Sequence, residues 1–155
     1  MKLTIAAIGK IPNGPETTLT DDYLTRFNRT GRALGLGPAT LVAADAKKST
    51  PSAEATVLKK HHPAGNRLVV LDERGKLLTS PDFATQLASW RDDDNRDITF
   101  MIGGADGLDP ELRQQADFSL SFGKMVWPHQ LARIMLCEQI YRAATILAGS
   151  PYHRS

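Results

Sequence analysis

Short apolar runs alternate along this chain with longer segments whose apolar residues recur at helical spacing. Runs of this length, closed by glycine or polar residues, are typical of buried strands. They lie at residues 2–9, 40–44, 67–72, 98–102 and 118–122. Helical patterns occupy residues 17–34, 52–62, 80–91 and 130–147, and a further short helix starts at Asp109. Because strands that alternate with helices form crossover units, the sequence predicts an α/β fold with a mostly parallel sheet flanked by helices.

Helix starts and one turn are marked by specific residues. Ser80–Pro81–Asp82 and Asp109–Pro110–Glu111 each combine a capping residue, a proline for the first turn and an acid. This combination predicts a helix start at both places. Ser52 is a candidate cap for the helix that ends before Pro63. Residues 73–76, which contain a glycine, are predicted to form a turn after the third strand.

The size and composition fit one domain, predicted to span residues 1–155. The chain has 41% apolar and 23% charged residues, which excludes disordered, collagen-like and low-complexity proteins. The single cysteine, Cys137, excludes an internal disulfide framework and a cysteine-rich zinc site, and no metal is expected. No apolar stretch approaches the roughly 20 residues of a membrane span, and the first residues lack the pattern of a signal peptide. We therefore expect a soluble, cytoplasmic protein with no membrane partner.

The charge of the chain is nearly balanced. Its 19 lysines and arginines against 17 acids give a net charge of +2, too little to attract a nucleic acid through the overall field. Contact with RNA would need a local patch. Basic residues concentrate within residues 47–60 and at Arg26, Arg29 and Arg32. Each group is either a solvated face or a phosphate-contact surface.

Two predicted strand ends carry residues that suit a ligand. Gly103–Gly107 follows the fourth strand, and it is either a tight strand-to-helix turn or a loop that lets a ligand approach the backbone. Its glycines do not form the G-x-G-x-x-G pattern of dinucleotide-binding loops. Asp72 ends the third strand. It either bonds a ribose hydroxyl or caps the following turn, and the cap is the simpler interpretation.

The loop before the last helix is unusually apolar. Met125, Val126 and Trp127 are too apolar for a bare surface loop. They are expected to cover the core, a neighbouring subunit or an aromatic ligand, and core packing is the simplest expectation. His129 starts the last helix, where the helix dipole disfavours a charged imidazole. A neutral ring there can act as a base, or it can simply cap or pack.

The last helix and the residues after it carry several polar groups. Apolar positions occupy more than half of this helix, which predicts burial on two sides, by its own sheet and by a second subunit. Arg133 is expected to pair with an acid, or to reach an anion. Glu138 and Arg142 have the order that favours a salt bridge. The closing Tyr152–His153–Arg154 combines a stacking ring, a titratable ring and a cation, which suits an RNA nucleotide unless the terminus is frayed.

Several of these segments in combination resemble the ribosomal RNA large subunit methyltransferase H family, a small branch of the SPOUT class of knotted methyltransferases. The resemblance covers the whole chain. Its residues are KLTIAAIGK (2–10), VLDERGK (70–76), IGGADG (102–107), SFGKMVWPHQLAR (121–133), EQIYRA (138–143) and PYHR (151–154). Residues 36–62 diverge from the family. Gly123 stands where the family often has serine, and Trp127 where a smaller apolar or aromatic residue is usual.

The resemblance implies an S-adenosylmethionine-dependent enzyme. Its substrate would be 23S rRNA in the assembled 70S ribosome, methylated at N3 of a pseudouridine. It also implies a homodimer in which the tail of one subunit completes the site of the other, and a deep trefoil knot in the C-terminal part of the fold. The knot follows from the resemblance alone, because general topology rules make knots rare.

The resemblance also implies the site residues. The cofactor-binding residues would be Leu71, Gly103, Gly104, Phe122, Gly123, Lys124, Met125, Val126 and Trp127. The catalytic residues would be Tyr152, His153, Arg154, His129 and Arg142, with Arg133 and Glu138 helping to frame the pocket. Two alternatives are a non-catalytic ribosome-binding factor and a nucleotide-binding α/β oxidoreductase that uses the Gly103–Gly107 loop.

Overall fold

A computed structural model describes residues 1–154 of the chain. The strands are β1 (Leu3–Ile8), β2 (Ala39–Ala44), β3 (Arg67–Leu77), β4 (Ile98–Ile102) and β5 (Phe118–Ser121). The helices are α1 (Pro15–Gly31), α2 (Pro51–Lys59), α3 (Ser80–Asp93), α4 (Pro110–Gln115) and α5 (His129–Leu147), and a short 3₁₀ turn at Arg32–Leu34 follows α1. The predicted alternation of strands and helices is confirmed.

The five strands form one sheet in the order β2-β1-β4-β3-β5. Every neighbouring pair is parallel, as the crossover pattern predicts. The carboxyl ends of all five strands therefore lie along one edge of the sheet, which is where open α/β sheets bind ligands.

Helices cover both faces of the sheet. Alternating side chains of each strand point to opposite faces, so Leu3 and Ile5 pack with α1, α3 and α5, whereas Ala6 and Ile8 pack with α2 and α4. Helix α5 lies between α1 and α3 on its face. Most of its apolar side chains are thus buried within a single chain. The buried residues are Leu136, Cys137, Ile140, Ala143 and Ala144.

Two helices start earlier than their sequence signals predicted. The Thr50 hydroxyl accepts from the Ala53 amide, and the Thr79 hydroxyl accepts from the Asp82 amide, each at 3.2 Å. The caps are therefore Thr50 and Thr79, and the predictions of Ser52 and Ser80 were wrong. The threonine caps place the prolines in the first helical turn, where a missing N–H leaves no bond unmade. The prediction of Asp109 as the cap of α4 is confirmed.

The turn predicted at residues 73–76 is instead a bulge within β3. Leu71 and Lys76 both align with Leu120 of β5, so the intervening residues bulge out and the chain returns to the same ladder. A Cβ on Gly75 would lie 2.7 Å from the Ser119 carbonyl oxygen. Glycine is therefore needed for a close backbone approach between strands, which a local turn signal does not reveal.

Candidate active site

A cleft of about 610 Å³ opens at the carboxyl edge of the sheet. Its walls come from the bulge of β3, from the segments that follow β4 and β5 and from the start of α5. The lining residues are Leu71–Arg74, Ile102–Leu108, Leu120, Phe122, Gly123, Met125–His129 and Ala132. Segments that are far apart in sequence thus meet at one place, at the carboxyl edge of the sheet.

The glycine loop that follows β4 is fixed by one hydrogen bond to α2 and by another within the loop itself. The Gly104 amide donates to Glu54 Oε2 of α2 at 3.3 Å, and the Gly107 amide donates to the Gly104 carbonyl at 3.0 Å. A Cβ on Gly103 would lie 2.8 Å from the Gly107 carbonyl oxygen. The loop is therefore a tight turn, as the first interpretation predicts, and it also lines the cleft.

Asp72 caps the bulge of β3, which confirms the simpler of its two interpretations. Its Oδ1 accepts from the Arg74 amide at 2.9 Å. The same carboxylate faces two cations, Arg74 Nε at 3.2 Å and Arg113 Nε at 3.4 Å. Its side chain is almost fully buried, and it forms part of the cleft wall.

The apolar loop after β5 does not pack into the core of the chain. Met125, Val126 and Trp127 are 74%, 80% and 42% exposed and line the cleft, so the expectation of core packing was wrong. The chain turns away from the sheet at Ser121, whose hydroxyl accepts from the Gly123 amide at 3.0 Å and donates to the Glu73 carbonyl at 3.1 Å. The loop is left facing the cleft and the outside.

Arg133 ties α5 to the end of β1. It is 2% exposed, and its guanidinium donates to the carbonyls of Ile8, Gly9 and Lys10. The expectation that it pairs with an acid was wrong, because backbone carbonyls of the strand end serve as its partners. Burial lowers the pKa of this guanidinium. His129, one turn earlier in α5, forms part of the cleft wall.

The tail folds back onto the middle of α5. Glu138 Oε1 accepts from Arg142 Nε at 2.9 Å and from the Tyr152 hydroxyl at 3.0 Å. The expected salt bridge is confirmed, and the tail up to His153 is not frayed, since His153 Nδ1 lies 3.3 Å from Arg142 Nη1. The hydrogen bond that Arg142 donates to Glu138 raises the pKa of Arg142. Burial and the bond to Glu138 raise the pKa of Tyr152 to about 12.

A second, more apolar cleft of about 470 Å³ lies between the start of α3 and α5. Its walls include Leu77, Phe83, Ile134 and Met135, and Glu138 is at its polar side. Phe122 and Gly123 line both clefts. The tail cluster therefore adjoins the second cleft rather than the first.

The structure gathers most of the predicted cofactor residues. Eight of them line the first cleft: Leu71, Gly103, Gly104, Phe122, Gly123, Met125, Val126 and Trp127. Lys124 is exposed and lies outside the lining. Of the predicted catalytic residues, His129 is in the wall, whereas Arg142, Tyr152 and His153 are in the tail cluster and Arg154 is exposed on the tail.

Sequence reasoning missed Glu54 and Arg113, which support the cleft from α2 and α4. Neither lies in a segment with a recognisable motif, and only their contacts with Gly104 and Asp72 reveal a role. Within residues 1–154, no group of three or more His, Cys, Asp or Glu side chains is placed to hold a metal ion. No described helix is long and apolar enough to cross a membrane.

Comparison with known proteins gives consistent matches over the chain. A family described as predicted SPOUT methyltransferase matches residues 1–153. The ribosomal RNA large subunit methyltransferase H of Ruegeria pomeroyi is 63% identical over 155 residues, covering 99% of both chains. The protein of the same name from Roseobacter denitrificans is 57% identical over 156 residues, covering all of both. A solved structure, a probable methylase family protein from Haemophilus influenzae Rd KW20, shares the fold at 12% identity with a TM-score of 0.52, covering 99% of this chain and 70% of that one.

Proposed function

Because the chain belongs to the ribosomal RNA large subunit methyltransferase H family of SPOUT methyltransferases, we propose that it transfers the methyl group of S-adenosylmethionine to N3 of a pseudouridine in 23S rRNA of the assembled 70S ribosome. The observation that carries the proposal is the convergence of the glycine loop, the Leu71 strand end and the apolar Met125–Trp127 loop on one cleft. Family membership speaks against the oxidoreductase alternative, and the non-catalytic alternative is an outcome of the experiment below.

The first cleft suits S-adenosylmethionine in size and in chemistry. Its volume of about 610 Å³ lies within the range of small-molecule sites. Leu71, Phe122 and Trp127 offer apolar surface for an adenine ring, while the carboxylate of Asp106 in the wall suits a cofactor that carries positive charge. The cofactor supplies a methyl group on a positively charged sulfur.

In this proposal the chain contributes position, exclusion of water and proton transfer. The bound cofactor would supply the methyl group to N3 and leave as S-adenosylhomocysteine, and the proton on N3 would have to be removed. Holding N3 in line with the methyl group supplies much of the rate. His129 in the cleft wall and His153 of the tail are the candidate bases. Arg142 and Arg154 are the candidate cations for stabilising the N3 anion, and Tyr152 is the candidate ring for stacking with a base.

A homodimer is part of the proposal because the tail of a single chain is anchored far from its own cleft. Helix rise is about 1.5 Å per residue, so Glu138 and Arg142 lie roughly 14 and 20 Å along α5 from His129. Tyr152 and His153 are bound there. The exposed apolar side chains of Leu77, Met125, Val126 and Leu131 offer a surface for a second copy. We include the deep C-terminal trefoil knot and a single domain over residues 1–155 in the same proposal.

The proposed reaction is tested with ribosomes that lack the modification. The protein is mixed with methyl-labelled S-adenosylmethionine and such 70S ribosomes, and the label is located by nuclease digestion and mass spectrometry. We expect label at N3 of one pseudouridine in 23S rRNA. Cofactor binding and ribosome binding without methyl transfer would favour the non-catalytic factor.

The shared site is tested by mixing Gly103→Ala, which alters the cofactor loop, with His153→Ala, which alters the tail, under conditions in which neither variant alone is active. After the two are mixed and allowed to exchange subunits, half of the dimers carry one of each chain. If the tail acts on the other subunit, each mixed dimer has one intact site, and about a quarter of the wild-type activity returns. If the tail acts within its own chain, no site is intact and no activity returns, which would overturn the dimer proposal.

A further inference from the structure

We propose that three lysines in the β1–α1 and β2–α2 loops, Lys10, Lys47 and Lys48, contact the phosphate backbone of the RNA substrate. We call these three residues the edge lysines. The inference rests on the proposed function, since it takes rRNA as the substrate. Lys47 and Lys48 lie in the part of the chain that diverges from the family, whereas Lys10 ends the first segment that carries the resemblance.

The edge lysines lie at the same edge of the sheet as the first cleft. Their two loops follow the carboxyl ends of neighbouring parallel strands, and β1 in turn adjoins β4. The Gly9 amide donates to the Ala44 carbonyl at 3.0 Å, so the two loops leave the sheet side by side. The loop that follows β4 carries the glycines of the cleft.

Both loops are also fixed to the walls of that cleft. In the first, Arg133 holds the carbonyls of Gly9 and Lys10 at 3.0 and 3.2 Å and belongs to the same helix as His129. In the second, α2 begins directly after the loop, and its Glu54 accepts from the Gly104 amide. RNA that contacts the edge lysines would therefore lie beside the cleft in which its base is methylated.

The loops after β1 and β2 carry a net positive charge, whereas the cleft wall contains charges of both signs. Asp72, Glu73 and Asp106 line the cleft together with Arg74, and Asp72 is paired with Arg74 and Arg113. On the β1 and β2 side, residues 9–14 contain no acid and residues 45–50 contain only Asp45, which leaves an excess of two positive charges. The edge lysines are exposed. Every ion pair between described residues uses an arginine, so these lysines are not neutralised by an acid within the described chain and are available to a polyanion.

The other basic residues that the sequence singled out, on α1 and at the end of α2, do not lie in the loops at the cleft edge. Helix α2 is about 14 Å long and runs from the cleft edge towards the opposite edge of the sheet. It must do so because β3, the next strand, is parallel to β2 and therefore starts at that opposite edge. Lys59 and Lys60 therefore lie at the far end. Arg29 and Arg32 lie at the far end of α1 for the same reason, and Arg26 is bonded to Asp22 at 3.0 Å. The fold thus selects the edge lysines from the basic residues that composition alone left equivalent.

The test compares K47A/K48A with K59A/K60A, a matched control that removes the same charge from the same crossover. Methylation of unmodified 70S ribosomes is measured from 50 to 200 mM salt, together with Kd for S-adenosylmethionine. Each lost phosphate contact lowers the slope of log K against log salt by about 0.7–0.9. For K47A/K48A we expect the slope to become shallower by about 1.4–1.8 and KM for ribosomes near 150 mM salt to rise roughly tenfold or more.

The remaining measurements separate the lysines from the reaction itself. We expect K47A/K48A to keep the wild-type kcat at saturating ribosomes and the wild-type Kd for S-adenosylmethionine, and K47R/K48R to restore KM. The control should match the wild type in all of them. An unchanged KM and salt slope for K47A/K48A, or an equal change in K59A/K60A, would overturn the inference while methylation by the wild type upholds the proposed function. A wild type that neither binds nor methylates rRNA would overturn both.

Discussion

Substitution of Gly103 by alanine tests the glycine loop as a cofactor-binding element. The added Cβ would lie 2.8 Å from the Gly107 carbonyl oxygen and 2.9 Å from its carbonyl carbon, well inside the separation of about 3.5 Å at which heavy atoms attract. These atoms belong to the backbone, so the loop itself must open. Overpacking of this kind costs about 1–3 kcal/mol.

The cost can fall on folding or on cofactor binding, and two assays divide it. If the loop opens freely without cofactor and must close around it, Kd for S-adenosylmethionine rises about 5- to 150-fold. If the loop cannot relax, the melting temperature falls by about 2–4 °C for each kcal/mol. Isothermal titration calorimetry measures the loss of cofactor binding, and thermal unfolding of the same samples measures the loss of stability. Together they account for the free-energy cost of the added methyl group.

Gly104→Ala is the matched comparison one position along. Its Cβ would lie 2.6 Å from Glu54 Oε1, the end of a side chain that can move, so we expect a smaller effect. Removing the obstacle in the double variant Glu54→Ala/Gly104→Ala should cost less than the sum of the two single variants. If Gly103→Ala leaves both Kd and the melting temperature at wild-type values, the steric reasoning and the role of this loop are refuted.

Three further outcomes follow from single side chains. Arg133→Met should lower the free energy of unfolding by at least about 2 kcal/mol, because it removes the donors that buried carbonyls bind. Arg26→Met, at a solvent-exposed ion pair, should lower it less, and equal losses in urea unfolding would contradict this. Burial raises the pKa of Cys137 from 9.0 to about 12, so its contribution to stability is present below pH 9 and is lost as the pH rises towards 12. The stability of the wild type relative to Cys137→Ala should therefore fall between pH 9 and 11, and a constant difference would be inconsistent with a buried thiol. Tyr152→Phe removes the hydroxyl that donates to Glu138 at 3.0 Å and should cost about 1 kcal/mol and speed amide exchange in the tail, which hydrogen-exchange mass spectrometry would detect.

Local sequence patterns predict much of the fold. The apolar run at residues 98–102 coincides with β4 in full, and α4 begins after Asp109 as its cap predicts. Such features depend on the periodicity of a few neighbouring residues and can therefore be predicted from the sequence. The two helix caps that were predicted wrongly show where local patterns are not sufficient. Threonine and serine can both cap a helix, and only the geometry of the turn decides between Thr50 and Ser52, or between Thr79 and Ser80.

The candidate site was predictable where residues form a motif and not where they meet through the fold. The sequence determined the strands, the glycine loop, the apolar loop and the resemblance that joins them. Only the tertiary structure decided that Glu54 supports Gly104, that Arg133 binds the carbonyl groups at the end of β1 and that Met125–Trp127 line the cleft. The parallel sheet likewise decided that the loop with Lys47 lies at the same edge as the cleft, whereas Lys59 ends the helix that leads away from that edge. The reason is physical: periodicity and capping are set by interactions over a few residues, whereas these contacts join segments tens of residues apart, and the order of strands in the sheet decides which of them meet.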